Sequence, residues 1–323
     1  MILPLLVAAL AGIQSPVYFD GRESALEGHT AAVRYLAFPS DPAKGTLVSA
    51  TDGEAIVWQL SSQKSLKQIE VAGPTALSAD GSRLALANLD QVTILNASSF
   101  ESVKIIENSS ELGFANSDII CSLAFSKDGT KLAVGGYQDL LVVYTMGSGP
   151  APAGESRPIR LLQGPADCTA LSPDGKLLAT GNTDGTVSIF NSADGSLVKT
   201  IESFGKTVSC IAFSSDGKSL AAGSEDHAVK LWTVPEWKQI MDISHKGIVF
   251  GLAFSADSKL IATASNAGDR KSAVEIFDAA TGKSVAKKAA LDYWVFALAF
   301  SPDGKSLAGG GEDQLVRIWP LSR

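Results

Sequence analysis

The sequence predicts an all-β chain built from seven repeated units, and three observations carry that prediction. First, six Ser-x-Asp turns recur: Ser78 to Gly81, Ser126 to Gly129, Ser172 to Gly175, Ser214 to Gly217, Ser255 to Ser258 and Ser301 to Gly304. Second, each turn lies between two short apolar segments, such as Ile211-Ala212-Phe213 and Leu220-Ala221-Ala222. A third segment then closes on a large apolar residue: Trp58, Leu95, Tyr144, Phe190, Trp232, Phe277 or Trp319. Third, successive turn serines stand 48, 46, 42, 41 and 46 residues apart. A step of about 40 to 45 residues is the period of a propeller blade.

Taken in order, the first unit runs from Val33 to Trp58 and replaces the short turn with Pro39 to Gly45. Units two to seven follow their turn serines. Each outer strand is expected just before the next copy, as Leu197 to Ile201 lies before Val208. The last copy reaches Ser322-Arg323 directly after its third strand. The same offset taken back from Val33 assigns Arg22 to Leu26 to the missing outer strand, beside Val316 to Trp319. Pairing one end of the chain with the other removes the open edges that a row of sheets would expose.

These residues resemble the WD-repeat β-propellers, and the resemblance covers nearly everything after residue 22. The family's Gly-His stands as Gly28-His29, and its turn Asp, six residues before the closing aromatic, as Asp52, Asp184, Asp226 and Asp313. The full Trp-Asp ending is absent, since Trp58, Trp232 and Trp319 are followed by Gln59, Thr233 and Pro320. The resemblance implies seven four-stranded antiparallel blades over residues 15–323, with the ring closed by an N-terminal strand. It also implies structural roles for His29, which would bridge Ser49, Asp52 and Trp58, and for Asp184, Asp226, Trp232, Asp313 and Trp319.

Length and composition agree with a ring. At 323 residues the chain exceeds the size at which one hydrophobic core stops growing, roughly 250 to 300 residues. A propeller avoids that limit by burying each sheet between two neighbours. The composition, 45% apolar and 19% charged, suits short strands between polar turns. With a net charge of -7 and scattered lysines and arginines, the sequence shows no basic run for counterion-releasing contact with nucleic acid.

Residues 1–14 read as an apolar leader, with Ile2, Leu3, Leu5, Leu6, Val7 and Leu10 before an Ala9-Leu10-Ala11 sequence. The stretch is shorter than the about 20 residues of a membrane span, and nothing after it reads as one. A signal peptide of this kind leads to a periplasmic or extracellular protein, although no Lys or Arg precedes the apolar stretch; a cytoplasmic chain with an apolar tail is the alternative. Cys121, Cys168 and Cys210 form no C-x-x-C, and an odd count leaves the compartment open.

Catalytic chemistry finds little to work with. The chain has three histidines, His29, His227 and His245, and no G-x-S-x-G around any serine. Gly205-Lys206-Thr207, Gly217-Lys218-Ser219, Gly282-Lys283-Ser284 and Gly304-Lys305-Ser306 each lack the glycine five positions earlier that a phosphate loop requires. The turn aspartates Asp80, Asp128, Asp174, Asp216, Asp257 and Asp303 belong to their own turns. No cofactor and no metal site is expected, and the chain reads as no enzyme.

The expected function is a non-enzymatic protein-protein interaction scaffold that takes a protein or peptide on the top face. The residues assigned to that face are Tyr293 and Trp294, Arg270 and Lys271 on a lengthened hairpin (Asn266 to Ser272), His245, Phe250, Phe296 and Arg34. Phe250 and Phe296 align with Arg34, Gly73 and Ser209 of other blades. The same aromatics would serve equally as packing in the taper of the ring. Tyr137, Glu225 and Glu312 are lesser candidates on that side. The alternative is a propeller enzyme or small-molecule binder that uses the central channel through Arg34, Asp167 and Ser209. Two further lengthened stretches, Glu107 to Asp118 and Met146 to Pro158, are expected on the rims.

Overall fold

The computed structural model describes residues 17–88, 91–107, 119–136, 140–146, 159–162, 166–266 and 270–322. Residues 1–14, Tyr137 and most of the stretches Glu107 to Asp118 and Met146 to Pro158 lie outside these.

Seven antiparallel sheets follow one another, with the strands of the first six in chain order from one edge of the sheet to the other. Blade 1 is Tyr35–Ala37, Thr46–Ala50, Glu54–Gln59 and Lys64–Glu70. Blade 5 is Val208–Phe213, Ser219–Ser224, Ala228–Thr233 and Gln239–Ser244. Blade 7 takes Val295–Phe300, Ser306–Gly311 and Val316–Ser322 from the end of the chain. Its outer strand comes from the beginning, as expected, with Ser24, Ala25 and Leu26 opposite Ile318, Arg317 and Val316. Tyr18 and Phe19 extend this seam, opposite Ser322 and Leu321. Glu23 clasps it: its carboxylate accepts from Arg317 Nη1 at 2.5 Å, Lys288 Nζ at 2.6 Å and Trp319 Nε1 at 3.0 Å.

The core is divided as the repeat requires. Seven clusters of buried apolar side chains occur among the described residues, one at each junction between neighbouring blades. The closing aromatics Trp58, Trp232 and Trp319 are no more than 2% exposed. Close approach explains a second pattern in the sequence. A β-carbon on Gly223 would stand 2.7 Å from Val249 Cγ1 of the next blade, and one on Gly181 would stand 2.5 Å from Val208 Cγ1. Glycine in the second strand therefore seats the valine of the following blade.

The repeated turn is a closed hydrogen-bond unit. In blade 5 Ser214 Oγ donates to Asp216 Oδ1 at 2.6 Å, the Lys218 N–H donates to the same oxygen, and the Ser219 N–H donates to Ser214 Oγ. The other five copies repeat it, with Ser-to-Asp distances of 2.6 or 2.7 Å. Burial pushes the Asp216 carboxyl up, but these hydrogen bonds outweigh it and hold the group below the usual range. The glycine that ends the turn has φ of 64° to 72° in five copies, and Ser258 holds the same left-handed conformation at 60° in the sixth. The longer first turn folds into a 3-10 segment, Pro42–Lys44, capped by Asp41.

Candidate functional site: the upper mouth of the channel

The first strand of each blade lines the channel, and in five blades it carries a bulge at one level. The register slips at Cys121, Asp167, Ser209, Phe250 and Phe296. A bulge opposes two residues to one and re-aims a side chain, and bulges gather beside functional sites. Arg34 and Gly73 complete this level in blades 1 and 2. A ring of seven positions results, polar or small on one side and aromatic on the other.

On the aromatic side, the Phe250 and Phe296 rings meet edge to face at 5.6 Å, and Trp294 meets Phe296 at 6.3 Å. The Arg34 guanidinium lies 4.9 Å from the centre of the Phe296 ring, while its Nε donates to Asp52 Oδ2 at 2.9 Å. All three aromatics are half-buried and Arg34 is exposed. The basic rim is already partnered: Arg270 lies 3.5 Å from the Glu312 carboxylate, and Lys271 pairs with Asp292.

Two residues assigned to this face stand apart from the cluster. Tyr293 lies under Arg317, 4.5 Å from the guanidinium, against the core of blades 6 and 7. Burial there pushes its phenol well up, because burial outweighs the nearby Arg317 charge. His245 turns inward, with Nε2 3.4 Å from Thr263 Oγ1 and its ring edge-on to Phe277 at 5.9 Å. The histidine before a strand is a bracing position, and the preceding chain aims it at the blade rather than at solvent.

The brace of blade 1 shows the same geometry in full. His29 Nε2 lies 2.6 Å from Ser49 Oγ, which accepts from Trp58 Nε1 at 2.7 Å. His29 Nδ1 lies 3.2 Å from Glu54, not Asp52, which is exposed and held by Arg34. Glu54 begins the third strand and reaches back beneath the loop, whereas Asp52 sits at the hairpin tip. Burial pushes His29 below its ordinary value, against the opposing pull of Glu54. Burial raises Glu54, but hydrogen bonds from the Thr30 N–H, Gln68 and His29 outweigh it and leave its carboxyl lowered.

The remaining turn aspartates bond locally. Asp184 accepts from the Thr186 N–H at 2.9 Å and Asp226 from the Ala228 N–H at 3.1 Å. Asp226 also accepts from the Gly205 N–H, and Asp313 receives Arg317 through Nε at 2.9 Å and Nη2 at 2.6 Å.

Opposite the aromatics, Arg34, Gly73, Cys121 and Asp167 line a cavity of about 460 Å³ across blades 1 to 4. Ser209 is committed to backbone carbonyls, those of Gly223 at 3.2 Å and Val249. Arg34, Asp167 and Ser209 therefore do not converge on one point. Among the described residues no group of three or more His, Cys, Asp or Glu is placed to hold a metal ion. At the other end of the channel Phe38, Phe125, Leu171, Phe213, Phe254 and Phe300 line an apolar mouth of about 320 Å³.

A closed ring of seven blades with uniform turns beneath and a varied mouth above is a seven-bladed β-propeller. The chain belongs to the WD domain, G-beta repeat family, which it matches at residues 22–59, 156–191, 195–233, 237–271 and 287–320. Propellers of this family typically serve as protein-interaction scaffolds and are generally not enzymes. Over 203 residues the chain is 29% identical to the nuclear distribution protein PAC1-2 of Uncinocarpus reesii (strain UAMH 1704). That match covers 53% of this chain and 44% of the relative, less than half its length. Among the described residues no helix is long and apolar enough to cross a membrane.

Proposed function

We propose that the chain is a non-enzymatic scaffold that docks a protein or peptide on its upper face, anchored by Trp294, Phe296, Phe250 and Arg34. One observation carries the reading: three half-buried aromatic rings, Phe250 and Trp294 each edge to face with Phe296, and Phe296 beneath an exposed arginine. Trp, aromatic neighbours and Arg dominate the energetics of protein recognition, and a cluster of this kind offers a large rigid contact at little entropic cost. Arg270 and Lys271 form the rim, where ion pairs to Glu312 and Asp292 reduce what they offer a partner.

The test is affinity capture followed by titration of the captured partner. Trp294→Ala weakens that complex by about 2 kcal/mol while the thermal midpoint stays within about 2 °C of the parent. Unfolding of the Trp294→Ala protein would make the residue a packing element and remove the site. The export reading of residues 1–14 stands as a proposal beside this one. Mass spectrometry of the mature N-terminus decides it, and a protein retaining Met1 in the cytoplasm overturns it.

A further inference from the structure

Four buried side-chain oxygens gather in one place without a hydrogen-bond partner: Thr75 Oγ1, Ser122 Oγ, Asp167 Oδ2 and Thr169 Oγ1. All four residues line the cavity of about 460 Å³ across blades 1 to 4. Thr75 is 3% exposed and Ser122 8%, so bulk water does not reach these hydroxyls freely. An unpaired buried polar group is destabilising, and folded proteins tolerate few of them. Their concentration in one cavity marks a place where an occupant supplies the missing bonds.

The chemistry of the walls selects that occupant. A carboxylate only accepts, and hydroxyls accept as readily as they donate, so the four oxygens call for a donor. Two carboxylates line the cavity, Asp52, which is held by Arg34, and Asp167, which burial first and then the nearby Glu225 push up. The lining cation, Arg34, is engaged by Asp52 and the Phe296 ring. Burial pushes the Cys121 thiol up to about 12, so the sulfur beside Asp167 brings no competing negative charge at neutral pH. Among the described lining residues an anion finds no free positive group, and with Asp52 held by Arg34 a hard divalent ion needs more carboxylate oxygens than Asp167 provides. A primary ammonium brings one compact positive charge and three N–H donors.

We propose that the upper cavity of blades 1 to 4 binds a protonated primary amine, with Asp167 as its counter-ion and Thr75, Ser122 and Thr169 as its hydrogen-bond acceptors. This site shares Arg34 of its lining with the aromatic cluster and does not depend on the docking role of that cluster. The ammonium has two sources, a free amine or a lysine side chain presented by another chain, and both offer the same head group.

Isothermal titration calorimetry on the full chain tests it. The probes are n-butylammonium and Nα-acetyl-lysine-N-methylamide, each beside a neutral counterpart, n-butanol and the Nε-acetylated lysine. At least one ammonium probe gives saturable binding and its neutral counterpart does not. Asp167→Asn weakens that binding at least tenfold, Thr169→Val weakens it several-fold, and Leu66→Ala, on the exposed outer strand of blade 1, leaves it unchanged. Binding of butylammonium alone assigns a free amine, and binding of the lysine derivative alone assigns a side chain. No saturable binding from either ammonium overturns the proposal, since water alone then fills the cavity. Equal binding of the neutral counterparts, or full retention in a folded Asp167→Asn protein, overturns it as well. If Asp167→Asn does not fold, the ammonium-against-neutral comparison on the parent protein and the Thr169→Val titration decide.

Discussion

The lower and upper ends of the blades are built from the same strands and obey opposite rules. Below, six turns repeat one serine, one aspartate and one set of three hydrogen bonds, with Ser-to-Asp distances alike to 0.1 Å. Above, the seven equivalent channel positions hold arginine, glycine, cysteine, aspartate, serine and two phenylalanines. A position that is solved the same way in every blade is solving the blade's own problem of closing a turn. A position solved differently each time is released from that problem, and in the proposed docking role its variety belongs to what the ring meets.

The comparison sharpens into measurements. The largest effect is expected where the repeat is most uniform: Trp232→Ala empties a site that is 2% exposed and lowers stability by about 3 to 5 kcal/mol in chemical denaturation. A loss below about 1 kcal/mol would show that the blade junctions tolerate cavities. Next is the brace, where His29→Ala removes the partner of Ser49 and Glu54 and costs about 1 to 3 kcal/mol. Asp52→Asn, at the neighbouring exposed position, changes stability by less than about 0.5 kcal/mol. Equal losses for the two would return Asp52 to the brace.

Acid should act through the same buried histidines. Burial lowers His29 and His245 below their ordinary value of 6.5, so the folded state favours the neutral rings. Stability from this source is complete above the unfolded value and is lost as the pH falls below it. Urea midpoints therefore drop as the pH falls below about 6.5, and His29→Gln reduces the drop. An unchanged pH dependence in the variant would mean that His29 titrates as an exposed histidine does.

The smallest effect tests the one turn that departs from glycine. Ser258→Gly relieves about 1 to 2 kcal/mol of left-handed strain at φ 60°. It also adds about 0.5 to 1 kcal/mol of unfolded-chain entropy and loses the 3.0 Å bond from the Asp216 N–H to Ser258 Oγ, worth about 1 kcal/mol. The opposing terms leave the melting temperature nearly unmoved. A shift of more than about 1 kcal/mol in either direction would show that the inter-turn bond or the strain has been misjudged.

What was legible in the sequence follows the same division. Turn serines, closing aromatics and the Ser24–Leu26 seam were readable because each recurs at a fixed offset, and repetition separates signal from accident. The exchange of Glu54 for Asp52 was not readable. Both carboxylates lie in one hairpin, and only the fold shows which one reaches under the loop to His29. Phe250 and Phe296 were found by alignment with Arg34, but edge-to-face packing with Trp294 depends on the curvature of the ring. Tyr293 adjoins Trp294 in sequence and faces Arg317 instead, because successive residues leading into a strand turn to opposite sides. The unpartnered oxygens of Thr75 and Thr169 left no mark in the sequence at all, since a hydroxyl shows nothing of its partners before the chain is folded.

The clasp at Glu23 sets the order of events during synthesis. Its partners Lys288, Arg317 and Trp319 follow it by 265, 294 and 296 residues, so Glu23 and the Ser24–Leu26 strand leave the ribosome well before them and wait through six blades for the sheet they complete. Each hairpin forms from near neighbours in the chain, whereas this last pairing joins segments as much as 296 residues apart and bears the slow search that distant contacts impose. Until it forms, blade 7 has an unsatisfied edge, and a second nascent copy carries an identical Ser24–Leu26 strand able to fill it. Polysome crowding would therefore favour exchange of that strand between chains, whereas release of single chains would favour the closed monomeric ring.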